Sequence, residues 1–183
     1  MKKVYSFIVT ILITAGIAVC GNVNGNAISV EKSTSPAPAA LSPTATIQTV
    51  TGITPGNTTS VDVSLSNFST PFAAFQFSIK FDTNTVILNS ISDWASGVTG
   101  VSLNYHYNGS IADVTFVWGD TPVSINGLFF RMNFKYKSSA HGCSSIYWSD
   151  DPTPRLFADI NGYEVAVSYI DDRYVLYRFV QWI

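Results

Sequence analysis

The chain has 183 residues, and its 10 Lys and Arg nearly balance its 12 Asp and Glu, for a net charge of −2. Charged residues make up only 12% of it and no basic patch stands out, which argues against a nucleic-acid partner. The length suits one domain once processing segments are set aside, and abundant Ser, Thr, Asn and Gly suit an exported β-protein.

Residues 1–27 read as an export signal. Lys2 and Lys3 give the positive start, residues 4–19 the apolar run, and Gly25-Asn26-Ala27 the small residues of a cleavage site after Ala27. Cys20, which closes the apolar run, offers a lipoprotein alternative, with Val19 in the place where lipid processing takes a small residue. The run falls short of the ~20 residues of a spanning helix, so no membrane span is expected. The product is expected to be secreted or held at the cell surface. Residues 28–43 are rich in Ser, Pro and Ala, carry no apolar period, and read as a flexible linker.

The folded part is expected over 44–175. A short strand at 44–50 is followed by a turn at Thr54-Pro55-Gly56-Asn57 and by a strand at 60–66 with Val61, Val63 and Leu65 facing inward. The stretch 71–82, PFAAFQFSIKFD, alternates strictly. Ala73, Phe75, Phe77, Ile79 and Phe81 form an apolar face; Ala74, Gln76, Ser78 and Lys80 form the other. Further strands are expected at 85–91, at 101–107, and at 111–118 after the turn pair Asn108-Gly109, until Gly119-Asp120-Thr121-Pro122 breaks the run. Residues 128–136 form the next strand, with Leu128, Phe130, Met132, Phe134 and Tyr136 inward and Phe129 outward. Strands at 144–148 and 164–170 complete the set, with 156–159 leading into a turn at Asn161-Gly162. About nine short strands at a spacing of about ten residues, without a helix, predict an all-β sandwich. The hydrophobic residues 176–183 follow as a tail of unassigned role.

Three segments in order, VDVSLSNFSTPFAAFQFSIKFDTNTVIL, GLFFRMNFKYKSSAHGCSSI and LFADINGYEVAVSYIDD, resemble a cohesin domain over about Ala45 to Val175. The match is to divergent cohesin-like modules of secreted Bacteroidetes proteins, which carry a Trp strand and an Asp-Ile-Asn-Gly-like turn. The resemblance implies a nine-stranded jelly-roll sandwich, related in fold to the carbohydrate-binding modules of cellulases. It implies no catalysis and a dockerin-type protein partner, in assemblies that degrade polysaccharides. Aligned on Phe81-Asp82, the family's dockerin-binding polar pair falls on Ala74 and Gln76, where Asn and Asp are usual. Gln76 keeps a donor and an acceptor but not the charge. Ala74, Gln76, Ser78 and Lys80 are therefore the candidate partner-binding face, set against the alternative of a merely solvated strand face.

A second reading is a carbohydrate-binding module of the same fold, and a third is a structural surface module. Sugar rings stack on exposed aromatic side chains. Tyr105, Tyr107 and Trp118 share the period of core positions, which leaves Trp94 and Tyr163, in or beside loops, as the sugar candidates. Asp150, Asp151, Asp159 and Asn161 supply oxygen atoms of the kind Ca²⁺ takes, but the alternating ligand series is incomplete and Asp159 to Gly162 reads as a turn. Cys143, the one cysteine left after processing, has no partner for a disulfide; it reads as a packing residue, with a Cys143–His141 nucleophile pair as the alternative. His106 and His141 lack metal-ligand spacing, and no paired-carboxylate, phosphate-loop or nucleophile-elbow motif occurs. No enzyme activity, metal or cofactor is expected. Asn57, Asn67 and Asn108 each open a glycosylation acceptor triplet, and turn formation explains all three.

Overall fold

The computed structural model describes residues 41–51, 53–140 and 144–175, the last four by backbone alone. The export signal, Cys20, most of the linker, His141, Cys143 and the tail 176–183 lie outside the described residues. The chain forms β1 (Thr44–Ile47), β2 (Thr58–Ser66), β3 (Phe72–Asp82), β4 (Val86–Ser92), β5 (Ser102–Asn108) and β6 (Ile111–Val123). It continues with β7 (Gly127–Tyr136), β8 (Ser144–Ser149), β9 (Leu156–Asp159), β10 (Ser168–Ile170) and β11 (Asp172–Val175). One sheet has the order β10-β1-β2-β7-β4; the other has β11-β8-β3-β6-β5, with β9 also on β3. This is the expected all-β sandwich. The two strands beyond the expected nine are β9 and β11, both of four residues.

The two-residue alternation of β3 makes the centre of the core. Phe75, Phe77, Ile79 and Phe81 all point between the sheets and are buried. Phe77 meets Phe116 at 4.9 Å between ring centroids, Phe75 at 5.3 Å and the edge of Trp148 at 5.1 Å. Phe130 reaches it from the opposite sheet at 6.1 Å, nearly parallel. Phe75 stacks on Trp118 at 5.3 Å, and the Trp118 indole N–H donates to the Thr99 carbonyl at 2.9 Å. A buried indole thus has its polar end satisfied, as burial requires.

Strict alternation fails at two bulges, and both add a ring to the core. Against β9 the β3 register shifts between Phe72 and Ala74, which pair Asp159 and Ala158, so Ala73 is the extra residue on that side, while on the other side the three β6 residues Asp120 to Pro122 stand opposite it. Ala73 is half-buried, and Phe72 takes the core position expected of it. On β7 the register shifts opposite Val63 and Ser64, which pair Phe130 and Leu128. The unpaired Phe129, expected to face outward, is 0% exposed, and Leu128, expected inward, is 37% exposed. Phe72 and Phe129 then meet edge-on at 6.2 Å.

Three further expectations are corrected. β6 runs on through Gly119-Asp120-Thr121-Pro122 to Val123, because β3 continues to pair it as far as Phe72. β5 ends opposite Val117, so Pro122, which has no N–H, breaks no bond on that side. The β5–β6 turn is centred on Gly109-Ser110, with Asn108 pairing Ile111 and a positive φ of 61° at Gly109 alone. Tyr105 and Tyr107 are 44% and 66% exposed instead of buried, because β5 is the edge of its sheet.

β8 and β9 are two halves of one interrupted strand. Ser149 pairs Ser78 and Leu156 pairs Gln76, two residues along β3, so Asp150 to Arg155 is looped out between them. The loop is pinned internally. Arg155 donates from Nε and its own backbone N–H to Asp150 Oδ1, and from Nη2 to Oδ2 at 2.7 Å. Its guanidinium also lies 4.5 Å from the Tyr169 ring centre. These bonds to Arg155 hold the Asp150 carboxyl down at about 2.

Phe77→Ala is expected to cost about 3–5 kcal/mol in denaturant unfolding, because no neighbouring strand can close the cavity, whereas Tyr163→Ala should stay within about 0.5 kcal/mol. For Asp150 the folded pKa is depressed. Its contribution is therefore present above the ordinary carboxylate value of ~4 and is lost as pH falls through about 2. A carboxyl NMR titration should show that low midpoint, and Arg155→Ala should return it to ~4.

Candidate functional site

The candidate residues stand on the outer face of the six-stranded sheet, opposite the aromatic core. The strand registers sort this face into rows. Ala158, Ala74 and Gly119 form a row of small residues, from which nothing larger than a methyl group projects. The next row is Leu156, Gln76, Val117 and Ser102, and then come Ser149, Ser78, Thr115 and Asn104. The last full row is Tyr147, Lys80, Asp113 and His106.

The structure treats the four predicted residues differently. Ala74 is half-buried within the small-residue row. Gln76 is half-buried and donates from Nε2 to the Pro154 carbonyl at 3.2 Å. Ser78 is 0% exposed, and its hydroxyl lies 2.9 Å from that of Thr115. It supports the face from beneath and does not meet solvent, which corrects its place on the wet side. Lys80 donates from Nζ to Asp151 Oδ2 at 2.8 Å. That bond raises the Lys80 pKa and lowers that of Asp151. Gln76 and Lys80 are thus both tied to the loop 150–155, which borders the face.

Sequence reading missed Asp113, Thr115, His106 and Tyr147. The signal was present: Ala112, Val114, Phe116 and Trp118 define the inner face of β6, so Asp113 and Thr115 had to face outward. Their place beside Lys80 and Ser78 needed the strand register. Asp113 is buried, with Oδ2 3.3 Å from His106 Nδ1.

The other predicted sites fall apart from this face. Trp94 is only half-exposed and packs on Phe130 at 4.7 Å and on Phe116 and Phe129. Its ring belongs to the core, which corrects its reading as an exposed platform. Tyr163 is 73% exposed, at the β9–β10 turn. Asp159 Oδ1 accepts from the N–H groups of Asn161 and Tyr163 at 2.8 and 2.9 Å, which pulls its pKa down. The Asp159 carboxylate caps its own turn, while Asp150 and Asp151 are engaged by Arg155 and Lys80.

Comparison with known proteins agrees with the architecture. The family model for the cohesin domain matches residues 43–154. A cohesin of Clostridium acetobutylicum, solved in a complex, superposes with a TM-score of 0.63 at 20% identity, covering 75% of this chain and all of that one. The sixth cohesin of Acetivibrio cellulolyticus scaffoldin B, solved with a Cel5 dockerin, gives 0.60 at 24% identity, over 74% of this chain and 99% of that one. A non-cellulosomal cohesin of the archaeon Archaeoglobus fulgidus gives 0.51 at 15% identity, over 72% and 88%. A search of the curated proteins finds no match. With a family match over more than half its length and the sandwich to go with it, the chain belongs to the cohesin domain family.

Proposed function

We propose that this cohesin domain is a secreted, non-catalytic module that receives a dockerin-type protein partner on the outer face of the β8-β3-β6-β5 sheet. Its setting in this reading is the assembly of proteins that degrade polysaccharides. The observation that carries the proposal is the family match together with a polar sheet face centred on the strand that the resemblance assigned to docking. The solved relatives supply the partner class, since the Acetivibrio cohesin was solved with a dockerin.

The geometry suits a protein partner better than a glycan. The row Ala158-Ala74-Gly119 carries side chains small enough for a helix or strand to lie close, and Gln76, Ser102 and Asn104 offer amide and hydroxyl groups beside it. Retaining Gln76 where the family has Asp keeps hydrogen bonding and removes a fixed charge. The partner must therefore read that position by hydrogen bonds alone. The carbohydrate reading loses Trp94 to the core and keeps Tyr163, at the turn between β9 and β10. The other exposed rings, Tyr105 and Tyr107, stand on the edge strand β5 in register with Val114 and Ala112, the inward positions of β6, and so on the opposite side of the sheet from this face.

The immobilised protein, challenged with a panel of dockerin modules in surface plasmon resonance, should capture at least one. Gln76→Arg should weaken that capture by about tenfold or more, by overfilling the contact, and Tyr163→Ala should leave it unchanged. Retention on insoluble polysaccharide with no dockerin captured, and loss of that retention in Tyr163→Ala, would move the function to the carbohydrate-binding reading.

A further inference from the structure

The docking face ends in a trough. Two hollows of about 290 and 330 Å³ adjoin there and share Ile111 and Tyr147 as walls. The first is bounded by Lys80, His106, Asp113 and Asp151, and the second by Asp82. Among the described residues, three carboxylates thus line the trough against one lysine, and that lysine is bound to Asp151 at 2.8 Å.

Asp113 is the unusual member. Its side chain is only 6% exposed, Oδ1 is buried without a hydrogen-bond partner, and Oδ2 meets only the His106 ring at the long distance of 3.3 Å. Lys80 is its cross-strand neighbour and acts on it through space, yet the Lys80 hydrogen bond goes to Asp151. A carboxylate withdrawn from water without a hydrogen-bonded cation is destabilising unless a partner supplies one. The free module already bears that desolvation. A cation arriving from outside recovers the attraction without stripping Asp113 again, which is the advantage of a preorganised site. The His106 side chain is 62% exposed and can turn aside from Oδ2.

We propose that this trough receives a lysine or arginine side chain of the docked protein partner, with Asp113 as its anchor and the Tyr147 ring as a wall. The inference rests on the reading of this face as the docking face, and names the chemistry the partner must bring to it. The excess of carboxylates draws basic groups in and turns acidic ones away. An aromatic wall adds attraction for a cation lying against it. The stem of a long basic side chain fits along Ile111, with its head at the carboxylates.

The test uses the whole ¹⁵N-labelled protein titrated with Nα-acetyl-arginine methylamide and Nα-acetyl-lysine methylamide, with the capped glutamate and cellobiose as comparison probes. The basic probes should move the amides of Lys80, His106, Asp113 and Tyr147 saturably, and the other two should not. Asp113→Asn, shown to be folded by its thermal transition, should weaken the binding by about tenfold or more. Lys80→Met removes the competing ammonium and should tighten it several-fold, a result independent of any folding defect at Asp113. Absence of saturable shifts with both basic probes, the same amides moved by cellobiose instead, or weaker binding in Lys80→Met would overturn the proposal. A protein that binds capped arginine here but captures no dockerin would overturn the docking reading and leave this site standing.

Discussion

The packing of aromatic rings on the inner side of β3 fixes the spacing of the two sheets, and the remaining features of the fold are arranged around it. Phe75 and Phe77 are in contact with rings from β6, β7, β8 and β9, so four strands are positioned against one pair of side chains. Sheets stacked face to face stand ~10 Å apart, and rings meeting edge-on or offset fill that gap without polar atoms to satisfy. The two bulges serve the same end. Each spends a ladder position to turn one more phenylalanine inward, and Phe72, Phe129, Phe157 and Phe68 close that pole of the sandwich.

The proposed docking face is the other side of the same alternation. Once Phe75, Phe77 and Phe81 are committed to the core, Gln76, Ser78 and Lys80 have only the outer side available. The core and the proposed docking surface are separated by a single peptide unit along β3. The side chains on the outer side are not equally available, however. Ser78 and Thr115 bond to each other and stiffen the centre, while Lys80 and Asp113, neighbours across the ladder, take different partners. The face is thus rigid in the middle and electrostatically incomplete at one end.

Much of this was legible in the sequence, for stated reasons. Alternation over 71–82 and 128–136 and the turn residues at 54–57 gave the strands, and their order gave the family. What alternation cannot show is a change of phase. Ala73 and Phe129 each look like ordinary members of a two-residue pattern, and only the partner strands, β9 for Ala73 and β2 for Phe129, reveal that they are extra. Nor does the pattern tell a central strand from an edge, which is why Tyr105 and Tyr107 share a core period and still face solvent. Trp94 lies in a loop, and sequence gives no sign that the loop folds back over Phe130. The site was half visible: the β3 residues could be named, but Asp113, His106 and Tyr147 joined them only through register.

The six-residue excursion between β8 and β9 has a bearing on how such a module could acquire new specificity. Because Ser149 and Leu156 sit two rungs apart on the same edge of β3, a single residue in place of Asp150 to Arg155 would leave one unbroken strand. The core would not register the exchange, since none of the six residues belongs to it. The border of the proposed docking face, by contrast, would change completely, because this loop holds Gln76 and Lys80 in their present poses. Length and composition here are free to drift while the scaffold stays constant, so this short segment is where one cohesin sandwich could come to discriminate between partners that another would treat alike.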